Sequence, residues 1–165
     1  MPAKLDLNTA PRTSVFRAVV RLIRNDATIK RIVRPTSIRA WEGLPQDAAP
    51  FNTEIAPAIR FTPITGPDTF WSPGSMKGDL FLQVEMLVMG TNVDDLLNLW
   101  WAICRAIYPA AQSSINANVQ ALQQAGAYDG LVTFTAPAFD PEPKDNFFYG
   151  TGQMRIAVNN QFLAG

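Results

Sequence analysis

Two periodicities meet near residue 90 and leave little freedom in how this chain can fold. Leu80, Leu82, Val84, Met86 and Val88 recur at every second position, while Phe81, Gln83, Glu85, Leu87 and Met89 share the opposite face. That pattern is a half-buried strand, roughly 34 Å long at about 3.4 Å per residue. Gly90 and Thr91 interrupt it and Asn92 is placed to cap a helix. Asp94 and Asp95 then fall in the first turn, where the helix dipole favours anions. Val93, Leu96, Leu97, Trp100, Ile103, Cys104 and Ile107 form the expected apolar stripe, and Pro109 stops the helix near Tyr108. A long strand joined at once to an amphipathic helix makes residues 79–108 the expected core.

The rest of the chain arranges itself around that unit. Residues 1–12 are polar and contain prolines, which predicts a flexible arm, with 13–165 as one domain. Thr13 or Ser14 can cap a helix to Arg24 whose apolar face is Phe16, Val19, Val20 and Ile23. Asn25 or Asp26 can cap a short helix over Ala27–Ile32, and a first strand is expected over Thr36–Trp41. Residues 42–57 carry Gly43, Pro45, Pro50 and Pro57 and predict a long loop. Ala58–Ile64 reads as a strand, with Pro63 at an edge or an end. A turn-rich connection from Gly66 to Gly78 precedes the long strand. Ile115, Val119 and Leu122 mark a weaker helix ending near Gly126, and strands are expected over Leu131–Ala136 and Phe147–Phe162, with a bulge or bend at Gly150 and Gly152. Short links between successive strands favour antiparallel pairing. The fold class that follows is α+β: a mainly antiparallel sheet of about five strands with helices packed on one face.

Composition removes several kinds of chemistry. The 165 residues contain no histidine and one cysteine, so the commonest general base, the commonest metal ligand and an internal disulfide are all missing. Cys104 lies in the helix stripe and reads as core. Asp140, Glu142 and Asp145 are separated by Pro141 and Pro143 and read as a solvated turn, not as a calcium loop. Gly150-Thr151-Gly152 lacks the context of a phosphate-binding turn. No catalytic residue, metal or cofactor is expected, nor an apolar run long enough to cross a membrane.

Charge is more informative. The net charge is zero, yet residues 1–39 carry +7 and the remainder −7. Arg17, Arg21 and Arg24 follow helical spacing on one face and read as a solvated face, as a contact to an acidic partner, or as phosphate contacts. Trp101 sits beside the stripe, either as peripheral core or as interface. Phe70 and Trp71 are a second interface candidate, against a loop folded back on its own domain.

The arrangement resembles the tail terminator, or tail completion, family of tailed bacteriophages. The likeness lies in the N-terminal helix leading through Asp26-Ala27-Thr28-Ile29, in Pro57-Ala58-Ile59-Arg60-Phe61, in Leu80–Met89 joined to Asn92-Val93-Asp94-Asp95-Leu96, and in Ile107-Tyr108-Pro109 before a C-terminal strand pair. The chain departs from the compact pattern at Gly66–Gly78 and Ala110–Asp129. The resemblance implies a virion structural protein of the tail-neck region, forming a ring of usually six subunits. Such a ring caps the head-proximal end of the tail tube, with tube, neck or connector and sheath proteins as partners. Another neck protein, or a nucleic-acid-binding module using the basic N-terminal region, is the alternative.

Overall fold

The structure is a computed structural model that describes residues 11–40, 51, 55–64, 77–89, 93–140 and 146–159. Its elements follow the expected order: α1 (Pro11–Asn25), α2 (Ala27–Ile32), a 3-10 turn (Pro35–Ser37), β1 (Ile38–Ala40), β2 (Ala58–Ile64), β3 (Lys77–Met89), α3 (Asp94–Ile107), α4 (Gln112–Ala125), β4 (Ala127–Phe139) and β5 (Phe147–Asn159). Among the described residues the strands form one five-stranded sheet in the order β1-β2-β3-β5-β4. Only the β1–β2 pair is parallel. The α+β reading holds, and the helices share one face of the sheet.

That face is set by strand alternation. Leu82, Val84 and Met86 of β3 are fully buried and stand in register with Met154, Gly152 and Gly150 of β5. Val15, Phe16, Val19, Val20 and Ile23 of α1 cover them as part of the same cluster. Asp26 caps α2 by accepting hydrogen bonds from the N–H groups of Thr28 and Ile29, both at 2.9 Å. The helix α1 starts at Pro11, so the expected arm of residues 1–12 loses its last two positions to it; residues 1–10 lie outside the described residues. The first strand begins later than expected, because Pro35–Ser37 form a turn, and Trp41 lies outside the description. Pro63 pairs with Leu82 in β2, at a point that the three-residue β1 does not reach. The missing N–H of proline is harmless there.

The core helix is rotated from its expected phase. Leu99 is 1% exposed and Ala102 and Ala106 are buried, whereas Leu97 is 46% exposed. The stripe is Leu96, Leu99, Trp100, Ile103 and Ile107 with two alanines, and Cys104 is half-buried on its margin. The cause lies in β5. A Cβ added to Gly152 would come within 2.3 Å of the Trp100 ring, and one on Gly150 within 2.5 Å of Phe139. Trp100 therefore lies directly on bare strand backbone. These glycines mark no bulge in β5, which pairs with β3 without interruption from Phe147 to Asn159. The irregularity is one strand over, in β4, where the register shifts between Thr135 and Ala138 beside Pro137. A second shift lies between Ala127 and Val132.

Side chains from neighbouring elements complete the end of α3. Asn118 of α4 donates to the carbonyls of Ala106 at 3.2 Å and Ile107 at 2.9 Å, satisfying acceptors that a helix end leaves open. The Tyr108 hydroxyl accepts from Val132 N–H at 2.6 Å and donates to the Val132 carbonyl at 3.1 Å, holding β4 where its register slips. Phe134 packs edge-on against both Trp100 and Tyr108, with ring centroids 6.0 and 5.8 Å apart.

In most strands Gly→Ala gains about 0.5–1 kcal/mol. Gly152→Ala should instead cost about 1–3 kcal/mol by overpacking against Trp100. Urea unfolding of Gly152→Ala, Trp100→Leu and the double variant checks this: the penalty should largely vanish in the Trp100→Leu background. An equal penalty in both backgrounds would place its cause elsewhere than at the ring.

Candidate interaction surfaces

The first surface lies on the helical side. Arg21 is exposed and Arg17 half-exposed on α1, and both line an open groove of about 440 Å³ between α1 and α4. Ala18 and Leu22 of α1 and Ala121 and Ala125 of α4 supply its apolar lining. The α4 sequence, QSSINANVQALQQA, has no charged residue, so the charge of the groove comes from the arginines of α1. Arg24 does not complete a stripe with them. Its guanidinium donates to the Ile38 carbonyl at 3.0 Å and ties the end of α1 to β1.

The second surface is the outer side of α3. Asp94, Leu97, Asn98, Trp101 and Arg105 are all exposed there, and Trp101 reaches 64%. At 100° per residue these positions span about one third of the helix circumference, opposite the buried stripe. The Arg105 guanidinium lies 6.0 Å from the Trp101 ring centroid. Trp101 is thus an exposed aromatic and not peripheral core. The other aromatic candidates, Phe70 and Trp71, lie outside the described residues.

The third surface is the sheet face that no helix among the described residues covers. At its centre Arg60 of β2 and Glu85 of β3 stand opposite each other in register. The guanidinium forks onto the carboxylate, with Nε donating to Oε2 and Nη2 to Oε1 at 2.7 Å. Tyr149 of β5 donates its hydroxyl to Glu85 Oε1 at 2.8 Å, so three strands share one carboxylate. Burial pushes the Glu85 carboxyl up, but the hydrogen bonds from Arg60 and Tyr149 outweigh it and leave the group below its ordinary value. Burial and the bond to Glu85 push the Tyr149 hydroxyl up to about 12. Phe51 stacks over the Arg60 guanidinium at 4.7 Å. Farther along the face Arg155 pairs with Asp79 at 2.8 Å.

Sequence reasoning missed this network. Residues 25 and 64 positions apart meet only through strand order, although Glu85 among apolar neighbours was a visible oddity. The half-buried Cys104 thiol is pushed by burial up to about 11, which leaves little thiolate at neutral pH. Among the described residues no group of three or more acidic or cysteine side chains could hold a metal ion, and no helix is long and apolar enough to cross a membrane.

No family model matches the chain, and no characterised protein matches it by sequence. Among solved structures, it is similar to a chain of the assembly described as "Virion of native gene transfer agent (GTA) particle". The superposition covers 87% of this chain and 93% of that one, with a TM-score of 0.50 and 12% sequence identity. The likeness is one of fold.

Glu85→Gln removes the anion facing Arg60 and should cost about 1–3 kcal/mol at neutral pH in urea unfolding. A carboxyl held below its unfolded value of about 4.3 stabilises fully above that pH and loses its contribution as pH falls through the lower folded value. The midpoints of the parent and the variant should therefore converge in acid. A gap that stays constant down to about pH 2 would rule out a charge contribution from the pair.

Proposed function

We propose that this chain is a virion structural protein: a tail terminator that closes into a ring on the head-proximal end of a tail tube and joins it to the head or neck. The observation that carries the reading is a fold shared along nearly the whole length of both chains with a component of a virion particle. The role is architectural, with no catalytic step and no cofactor. Its partners are further copies of itself, the tube protein, a neck or connector protein and, in a sheathed tail, a sheath protein. It acts in the tail-neck region of a virion after assembly in the host cytoplasm.

Charge supports such a ring. Cyclic closure joins one patch of a subunit to a different patch of its neighbour, and a basic N-terminal region with an acidic remainder suits a head-to-tail contact. Capping then follows if the ring offers the tube a complementary surface on one side and no equivalent surface on the other.

Light scattering of the purified protein at low and high salt tests the reading. A species near six chains that dissociates at high salt is expected, because ions screen charges beyond about 8 Å at physiological strength and more closely above it. A monomer at both salts would remove the ring. Binding of duplex DNA with a steep salt slope by that monomer would favour a nucleic-acid-binding module.

A further inference from the structure

The two helical surfaces are unlike, and each has what the other lacks. The α1–α4 groove is concave, with an apolar lining between Ala18, Leu22, Ala121 and Ala125 and positive charge from Arg17 and Arg21. The outer side of α3 is convex and apolar at Leu97 and Trp101, with Asp94 at its N-terminal end, the exposed Asp95 to one side, and Arg105 over the Trp101 ring toward the C-terminal end. The volume of about 440 Å³ lies within the roughly 300–1,000 Å³ of ordinary binding clefts, enough for an indole and a neighbouring side chain. No residue belongs to both surfaces, so one molecule can use both at once.

We propose that the α3 ridge of one copy, led by Trp101 and Leu97, seats in the α1–α4 groove of a second copy, with Asp94 and Asp95 directed to Arg17 and Arg21. This contact deepens the ring reading and rests on it for closure. The occupant is another copy of the chain because the complement in shape and charge is present on the same molecule. A groove against a ridge is a heterologous contact, the kind that propagates round a ring. An exposed tryptophan meeting an apolar cleft between charged groups has the composition of an interface hot spot. The small alanines along α1 and α4 let the ring of Trp101 approach the helix backbones closely. Among the described residues lining the groove the arginines carry the charge, because α4 contributes only neutral side chains, so the register of the acids is set by them.

The test uses the full-length chain and two exposed-residue variants, Trp101→Glu on the ridge and Arg21→Glu with Gln124→Glu in the groove. Circular dichroism and thermal unfolding establish that each is folded. Native mass spectrometry and light scattering should show that either variant alone needs at least about tenfold more protein to assemble than the parent chain. Mixed in equal amounts, the two variants should form a one-to-one dimer and nothing larger, because only one intact ridge and one intact groove remain per pair. Parent and variants assembling alike would overturn the contact and leave the ring standing. Variants that stay monomeric, alone and mixed, would show that the two patches are not partners. A parent chain that is itself monomeric at all concentrations would overturn the ring reading first and the contact with it.

Discussion

The seat of Trp100 on Gly152 fixes how the helical layer lies on the sheet. An indole can touch strand backbone only where no Cβ stands in the way, and β5 supplies two such positions, Gly150 and Gly152, on its buried face. Once Trp100 points into that opening, the rotation of α3 is no longer free. Leu99, Ala102 and Ala106 turn inward beside Ile103, and Leu97 and Trp101 turn out. The exposed ridge is thus a geometric consequence of the buried contact and not a separate feature. Phe134 and Tyr108 extend the same aromatic packing to β4, which would otherwise be poorly held where its register slips.

The elements themselves were largely legible in the residues, because strand and helix periods depend on neighbours a few positions away. The span of β2, the long β3, the Asp26 cap and the end of α4 at Gly126 all follow from local pattern. The phase of α3 was not legible. Leu97 and Leu99 are equally apolar, and only the glycines of β5, more than fifty positions away, decide between them. Those glycines had a local reading, a bulge or bend, and the uninterrupted pairing of β5 with β3 removes the bulge. The three arginines of α1 show the same limit: spacing placed them on one face, and tertiary contact drew Arg24 away to the Ile38 carbonyl. Phe70 and Trp71 fall outside the described residues, so the structure bears on neither.

The polar network on the open sheet face has a different significance. A carboxylate shared by Arg60 and Tyr149 is weak evidence for stability, since removing charges from water offsets much of their attraction. Its stronger effect is on register. A slip of one residue in β2 or β3 would turn Arg60 or Glu85 into the apolar face, where neither could be satisfied. The network thus penalises the wrong alignment of β2, β3 and β5 more than it rewards the right one.

Sheet edges bear on how copies of this chain can join. Adding a strand from a neighbour requires a regular edge with free N–H and carbonyl groups. One edge of the sheet is β1, three residues long, and the other is β4, which carries two register shifts and Pro137. Among the described residues neither offers a long straight ladder, and both have features by which sheet proteins discourage edge pairing. Association through a continuous intermolecular sheet is therefore disfavoured, and contact through side chains is left. On the helical side those side chains differ in form and charge, with two arginines lining a groove and a ridge that carries acids at its N-terminal end and Arg105 beside Trp101. A ridge on one copy set into a groove on the next joins two different patches, so the contact has a direction. Repeated from copy to copy, such a contact closes into a ring only where the rotation between neighbours returns to its start, and otherwise runs on as an open filament.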